Sequence, residues 1–149
     1  MRLGRKWFAV INPLMALVLK SPLHFLFSGN IMLLTFTGRG SGCIYTTPVR
    51  YIRSEDTIRC FTSQRTRWWR NMAGGARVTL HVAGKTVSCM AIAIFDDPET
   101  VRPALEIYLR RFPQDAVYHY VRLNADVTLN TDDLARAAHS AVLIEAMID

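Results

Sequence analysis

Apolar and polar residues alternate with a period of two along several short stretches of this chain, and the elements follow from that pattern. Ile31 to Phe36, Ile44 to Ile52, Thr57 to Thr62, Ala76 to Val82, Lys85 to Phe95 and Ala141 to Ile148 read as strands. In Ala76 to Val82 the residues Val78, Leu80 and Val82 alternate with Arg77, Thr79 and His81, so one face is buried and the other polar. Met90 to Phe95 is almost wholly apolar, as a strand covered on both sides would be. A helical period takes over after Asp97, Pro98 and Glu99, which supply an N-cap, a proline at the first helical position and a first-turn acid. That helix runs to about Phe112, stops at Pro113, and carries Leu105, Tyr108, Leu109 and Phe112 on its apolar face. Shorter helices are expected over Arg67 to Met72, Asp115 to Arg122 and Thr131 to Ala138. Ahead of the first strand, Asn12–Pro13 and Ser21–Pro22 mark the starts of two tandem helices, the second ending near Gly29.

Strands that follow one another through hairpins argue for an antiparallel sheet or small barrel, because parallel pairing would need a crossover helix between each pair. The expected class is mainly β with helices, organised as one domain over residues 1–149 with a helical segment over 1–29. At 149 residues, 50% of them apolar, the chain can bury a sizeable core.

Charge changes the picture. Residues 1–95 hold 13 Lys/Arg against two acids, a net of +11, whereas residues 96–149 hold five against ten, a net of −5. An arginine-rich front suits an anionic partner such as a phosphorylated cofactor or a membrane surface. Nucleic acid fits less well, since the arginines are spread over strands and turns without a recognised nucleic-acid motif. Cys43, Cys60 and Cys89 are odd in number and too far apart for a metal or redox pair, which suggests reduced thiols in a cytoplasmic protein.

Gly38, Arg39, Gly40, Ser41 and Gly42 join the first two strands in a short, glycine-rich, basic turn. Its backbone N–H groups, with Arg39, Ser41, Thr46 and Thr47, could cradle a phosphate; equally, a hairpin needs glycines and Arg39 would keep its tip soluble. Downstream, Trp68 and Trp69 are neighbours on a helical turn of about 3.6 residues, so both cannot enter one core. One should face a cleft, where an indole can stack on a flat ring and Arg65, Arg67 and Arg70 can meet its phosphates. The alternative is one Trp in the core and the other under arginine stems. His24, His81, His119 and His139 lack metal-ligand spacing, and no metal site is expected. No nucleophile elbow, P-loop or dinucleotide fingerprint appears.

An anion-cradling hairpin, a Trp/Arg helix and a compact β-barrel suit a flat phosphorylated cofactor that performs the chemistry. SPLH before the first strand, LLTFTGRGSG, TTPV, the W-W-R-N-M segment with GG-x-x-VTL after it, and the closing Ala141 to Ile144 strand occur in that order. In these features the chain resembles the deazaflavin-dependent nitroreductase family, within the flavin-binding split β-barrels related to pyridoxamine phosphate oxidase. The resemblance implies a six-stranded antiparallel split β-barrel of the FMN-binding type, commonly dimeric. It implies a reduced deazaflavin, coenzyme F420, that passes hydride to a small-molecule acceptor: a quinone, a nitro compound or an activated alkene. By the same resemblance Arg39, Gly40, Ser41, Thr46, Thr47 and Pro48 fall at the cofactor-phosphate contacts, and Ser63, Gln64 and Arg65 along the same groove. Trp68, Asn71 and Met72 fall beside the deazaflavin, and Tyr118 and Tyr120 where some members place catalytic-pocket tyrosines.

The family's hairpin usually reads G-R-K-S-G, and here Gly40 stands in place of the lysine. That departure leaves FMN as an alternative cofactor and a non-catalytic flavin- or lipid-binding module as an alternative function. Arg2, Arg5 and Lys6 before the apolar run Trp7 to Leu19 give the N-terminus two readings: packing on a sheet, or peripheral contact with an anionic membrane. The run is too short to span a bilayer. On the membrane reading, the intact protein floats with anionic liposomes and a chain lacking residues 1–11 does not; an intact protein that stays at the bottom of the gradient rules the reading out.

Overall fold

The computed structural model describes residues 31–148, so the helices expected over residues 12–29 lie outside the described residues. Six strands form the frame: β1 (Ile31–Thr37), β2 (Ile44–Ser54), β3 (Thr57–Ser63), β4 (Ala76–Val82), β5 (Lys85–Ile94) and β6 (Ala141–Ile148). All pairings are antiparallel, and the order β1-β2-β3-β6-β5-β4 closes on itself as a barrel. Closure rests on two non-sequential seams. One joins β1 to β4 with Leu34 opposite Leu80; the other joins β3 to β6 from Thr57 opposite Met147 to Ser63 opposite Ala141.

The period-two pattern explains the interior. Met32, Leu34 and Phe36 of β1, Ile58 and Cys60 of β3, Val78, Leu80 and Val82 of β4, and Val142, Ile144 and Ala146 of β6 point inward and form one buried cluster. Each barrel strand thus gives one face to the lumen. A second cluster covers the outside of β3 and β6. There α1 (Pro98–Arg111) and α2 (Thr131–Ser140) lay Leu105, Leu109 and Leu134 over Phe61, Ile94 and Leu143.

Two expectations were narrowed and one needed correction. The short helices expected over Arg67 to Met72 and Asp115 to Arg122 are present as 3₁₀ helices, Trp68–Met72 and Pro113–His119. Five and seven residues are too few to recover the nucleation cost of an α-helix, and Tyr120, left-handed at φ 57, stops the second one early. Nor is β5 covered on both sides. Met90 and Ile92 are exposed, because the helical layer reaches only Ile94 on that outer face.

The helical layer is pinned by one buried carboxylate. Asp133, in the first turn of α2 and 1% exposed, accepts from the Arg122 backbone N–H (3.0 Å), Arg122 Nε (2.7 Å) and an Arg136 guanidinium N–H (2.7 Å). These donors hold its carboxyl well below the ordinary value of 3.8. A depressed pKa contributes stability at pH values above the ordinary one, and that contribution disappears as the carboxyl protonates on acidification. Asp133→Asn should therefore lower the melting temperature at pH 7 and flatten its fall below about pH 4, as read by circular dichroism melts from pH 7 to pH 2; equal melting curves for the two proteins would refute it.

Candidate functional site

The β1–β2 turn is built from its glycines inward. Gly38 N–H donates to Cys43 O at 2.7 Å, Gly42 N–H donates to Gly38 O at 2.9 Å, and Gly42 sits at φ +70. A Cβ on Gly38 would lie 2.8 Å from both Ser41 Oγ and the Tyr45 ring, so only glycine fits there. Ser41 Oγ is tucked into the same turn, where it accepts from Cys43 N–H (3.1 Å) and lies 3.3 Å from Tyr45 OH. Its hydroxyl shapes the loop first. Gly40 differs: nothing lies within 4 Å of a Cβ placed on it, and its φ is not positive.

The turn is tied to the Trp68–Met72 segment by Arg39. Its backbone N–H donates to Asn71 Oδ1 at 2.9 Å, its guanidinium donates to Ala73 O, and Asn71 Nδ2 donates to Trp68 O at 2.9 Å. Among the described residues the guanidinium makes no other bond, so most of its five donors face outward from an exposed side chain. The two tryptophans divide as their spacing requires. Trp69 is buried, with Nε1 donating to Thr66 O at 2.8 Å and its ring against Phe95. Trp68 is half-buried against the barrel core, its ring centroid 6.1 Å from that of Phe36, and Asn71 links its carbonyl to the Arg39 backbone N–H.

Ser63, Arg65 and Tyr118 meet at a different place. They line a cavity of about 330 Å³ on the outside of the barrel, together with Phe61, Tyr108, Asp115 and His119. Arg65 crosses its edge, donating to Tyr120 OH (2.6 Å) and Tyr118 O (3.3 Å) and lying 4.6 Å from the Tyr120 ring centroid. Gln64 is occupied elsewhere, its Nε2 donating to Asp96 Oδ1 (2.9 Å) and His139 O (3.1 Å).

Strand alternation splits the remaining residues. Tyr45, Val49 and Tyr51 of β2 pack on the barrel core, so Thr47 shares their face while Thr46 and Pro48 point the other way. Thr46 Oγ1 lies 2.9 Å from Thr35 Oγ1 on that outer face. The two threonine side chains therefore cannot grip one phosphate together. Met72 has no exposed surface and belongs to the barrel core, which removes it from any surface groove.

Sequence reading missed the polar floor of the cavity. Tyr108 OH donates to Asp115 Oδ2 at 2.6 Å, and Arg50 Nε donates to the same oxygen at 3.1 Å. Burial and the neighbouring carboxylate push the Tyr108 phenol far up, while burial pushes His119 down from 6.5 against the opposing pull of Asp115. The one sequence signal for this group was Asp115 standing four residues before His119. Among the described residues no three His, Cys, Asp or Glu side chains converge as a metal site would need, and no helix is long and apolar enough to cross a membrane. The three cysteines are buried and none forms a disulfide among the described residues, and burial pushes the Cys60 thiol up to about 12.

Similarity to known proteins bears on this geometry. Solved structures share the fold at low identity. A protein of unknown function from Agrobacterium tumefaciens has a TM-score of 0.55 at 22% identity over 78% of this chain, which spans only 47% of that protein. The heme storage protein HutZ from Vibrio cholerae has 0.55 at 13%, covering 87% and 90% of the two chains. A structure described as a domain-swapped dimer has 0.53 at 14%, covering 93% and 96%. No curated protein sequence matches significantly. The family model described as F420H(2)-dependent quinone reductase matches residues 20–128, from before β1 through the hairpin, both tryptophans and the cavity, and the chain belongs to that family.

Proposed function

We propose that this deazaflavin-dependent reductase holds the anionic tail of coenzyme F420 at Arg39 and its ring against Trp68, and passes hydride to quinone, nitro or activated-alkene acceptors. The observation that carries the reading is the tie from Arg39 to Asn71 and Ala73, which joins an exposed guanidinium to the same short segment that carries the half-buried Trp68 indole. A cation next to a flat apolar face matches a ligand that is anionic at one end and aromatic at the other. The residues present fit the group. Arg39 and the turn's backbone would receive phosphate oxygens, Trp68 would cover the ring, and Asn71 would keep the two in register. When bound, the reduced deazaflavin supplies the hydride. The chain's own part is to bind, to orient and to keep water from the ring face, for which no protein nucleophile is required.

Arg65, Ser63 and the tyrosines Tyr118 and Tyr120 border the acceptor side in this reading. Met90, Ile92 and Met147 expose apolar surface on neighbouring positions of β5 and β6, Met90 facing Met147 across the seam. That strip supports a homodimer through the β5–β6 face.

Gly40 favours a second reading, in which FMN replaces the deazaflavin. No side chain adds charge at this point of the turn, although the space for one is open. Titration with F420 and with FMN, followed by tryptophan fluorescence, separates the two. The reduced complex is then mixed with menadione or a nitroaromatic, and absence of binding by either cofactor defeats the proposal. Arg39→Ala should weaken F420 binding by about 1.5–3 kcal/mol, the cost of losing a hydrogen bond to a charged group. Gly40→Lys should tighten it without lowering the melting temperature. An Arg39→Ala protein that binds F420 as before would return Arg39 to a solubility role.

A further inference from the structure

The cavity beneath Arg65 contains more chemistry than a binding surface needs. Asp115 is 8% exposed, and both of its charged or polar neighbours bind the same atom: Tyr108 OH and Arg50 Nε converge on Oδ2. Oδ1 accepts no hydrogen bond from the described residues. Among the described residues no fully buried side-chain oxygen lacks a partner, so Oδ1 keeps access to the cavity that Asp115 lines. His119 lines the same cavity, half-buried, with its ring edge-on to Phe61 at 6.4 Å between centroids. Its ring nitrogens make no hydrogen bond to any described residue. An imidazole and a carboxylate that were only satisfying each other would be joined by a hydrogen bond. Instead they face a common space of about 330 Å³, large enough for a single aromatic ring system at the lower end of ligand-pocket sizes.

The charges that face His119 are few. From the second 3₁₀ turn come Asp115 and Tyr118, from the loop after β3 comes Arg65, from α1 comes Tyr108, and from β2 comes Arg50, already bound to Asp115. Phe61 and Tyr108 supply flat walls, and Arg65 and Ser63 stand at the mouth. Donors at the mouth and an acid–base pair further in suit a planar molecule bearing oxygens at opposite ends. Tyr118, 69% exposed, is less suited to keep a proton away from solvent.

We propose that this cavity takes an oxygenated planar acceptor and that His119 gives it the proton that completes reduction, with Asp115, Tyr108 and Arg50 as positioning residues. The inference rests on the reductase reading above. The acceptor gains two electrons and one hydrogen as hydride, and the electron pair comes to rest on a ring oxygen. That oxygen forms an O–H bond as the imidazolium N–H bond of His119 breaks, and the neutral imidazole is reprotonated from water. Asp115 stabilises the imidazolium while it lasts. Tyr108 and Arg50 act through Asp115, fixing the oxygen that faces the ring.

Because burial lowers the His119 pKa from 6.5, the donor form grows on acidification and the acceptor-reduction step should slow as pH rises through the imidazole's titration. Single-turnover mixing of the F420H2-loaded protein with menadione between pH 5 and pH 8 tests this. His119→Gln should slow the step about 100-fold or more at the acid end and remove its pH slope, consistent with loss of a general acid. Tyr108→Phe, which removes one hydroxyl from a buried site, should shift the slope's midpoint and lower kcat more than it raises KM. A cofactor-free readout accompanies these. In the protein without F420, 1,4-naphthoquinone should move the His119 imidazole resonances in a nitrogen-15 NMR titration, and should not move those of His139. A His119→Gln protein with wild-type rate and slope overturns the proposal, and so do His119 resonances that ignore the quinone. An intact protein that binds F420 yet reduces no quinone overturns the reductase reading, and the NMR titration then decides the cavity's role separately.

Discussion

Closure of the barrel is the constraint on which the remaining structure depends. Two seams, β1 with β4 and β3 with β6, join strands far apart in sequence, and neither can form until the chain between them has folded back. Once closed, every strand has a lumen face and an outer face, and no free edge remains. Apolar burial inside the lumen fixes register, since a slip of one residue in β1 would turn Met32, Leu34 and Phe36 outward together.

That division into faces also sorts the chemistry. The hairpin, Asn71 and Trp68 are tied together at one end of the barrel, so that an exposed cation and a half-buried indole belong to one hydrogen-bonded unit. Arg50, Tyr108, Asp115 and His119 gather on the outside, under the helical layer. Arg65 is the residue that runs between regions, since it follows β3, leads into the Trp68 segment, and reaches across to Tyr118 and Tyr120.

The strands, α1 and the division of labour between the tryptophans were legible because each depends on local periodicity, which a reader can see without the fold. Ala76 to Val82 is the clearest example, predicted and found with the same limits. The exposed face of β5 was not legible, because apolar residues such as Met90 and Ile92 do not say how far a helical layer extends. Thr46 and Thr47 looked like one paired site only while the strand's alternation was ignored. The Arg50–Asp115 contact spans 65 positions of sequence, and no local pattern marks it. Most of the mouth was visible from composition and resemblance; the cavity's floor existed only after folding.

Two glycines of the same turn have opposite freedom. At position 38 any side chain collides with Ser41 and Tyr45, whereas at position 40 the backbone is ordinary and the surroundings are empty. Substitution at 38 therefore tests the fold, and substitution at 40 leaves the fold unaffected while changing the charge presented to a ligand. Within three residues the chain thus holds one position whose space is filled and one whose space is open. A charge added at position 40 would meet open space rather than the barrel, so the turn's electrostatics can be altered there apart from its packing.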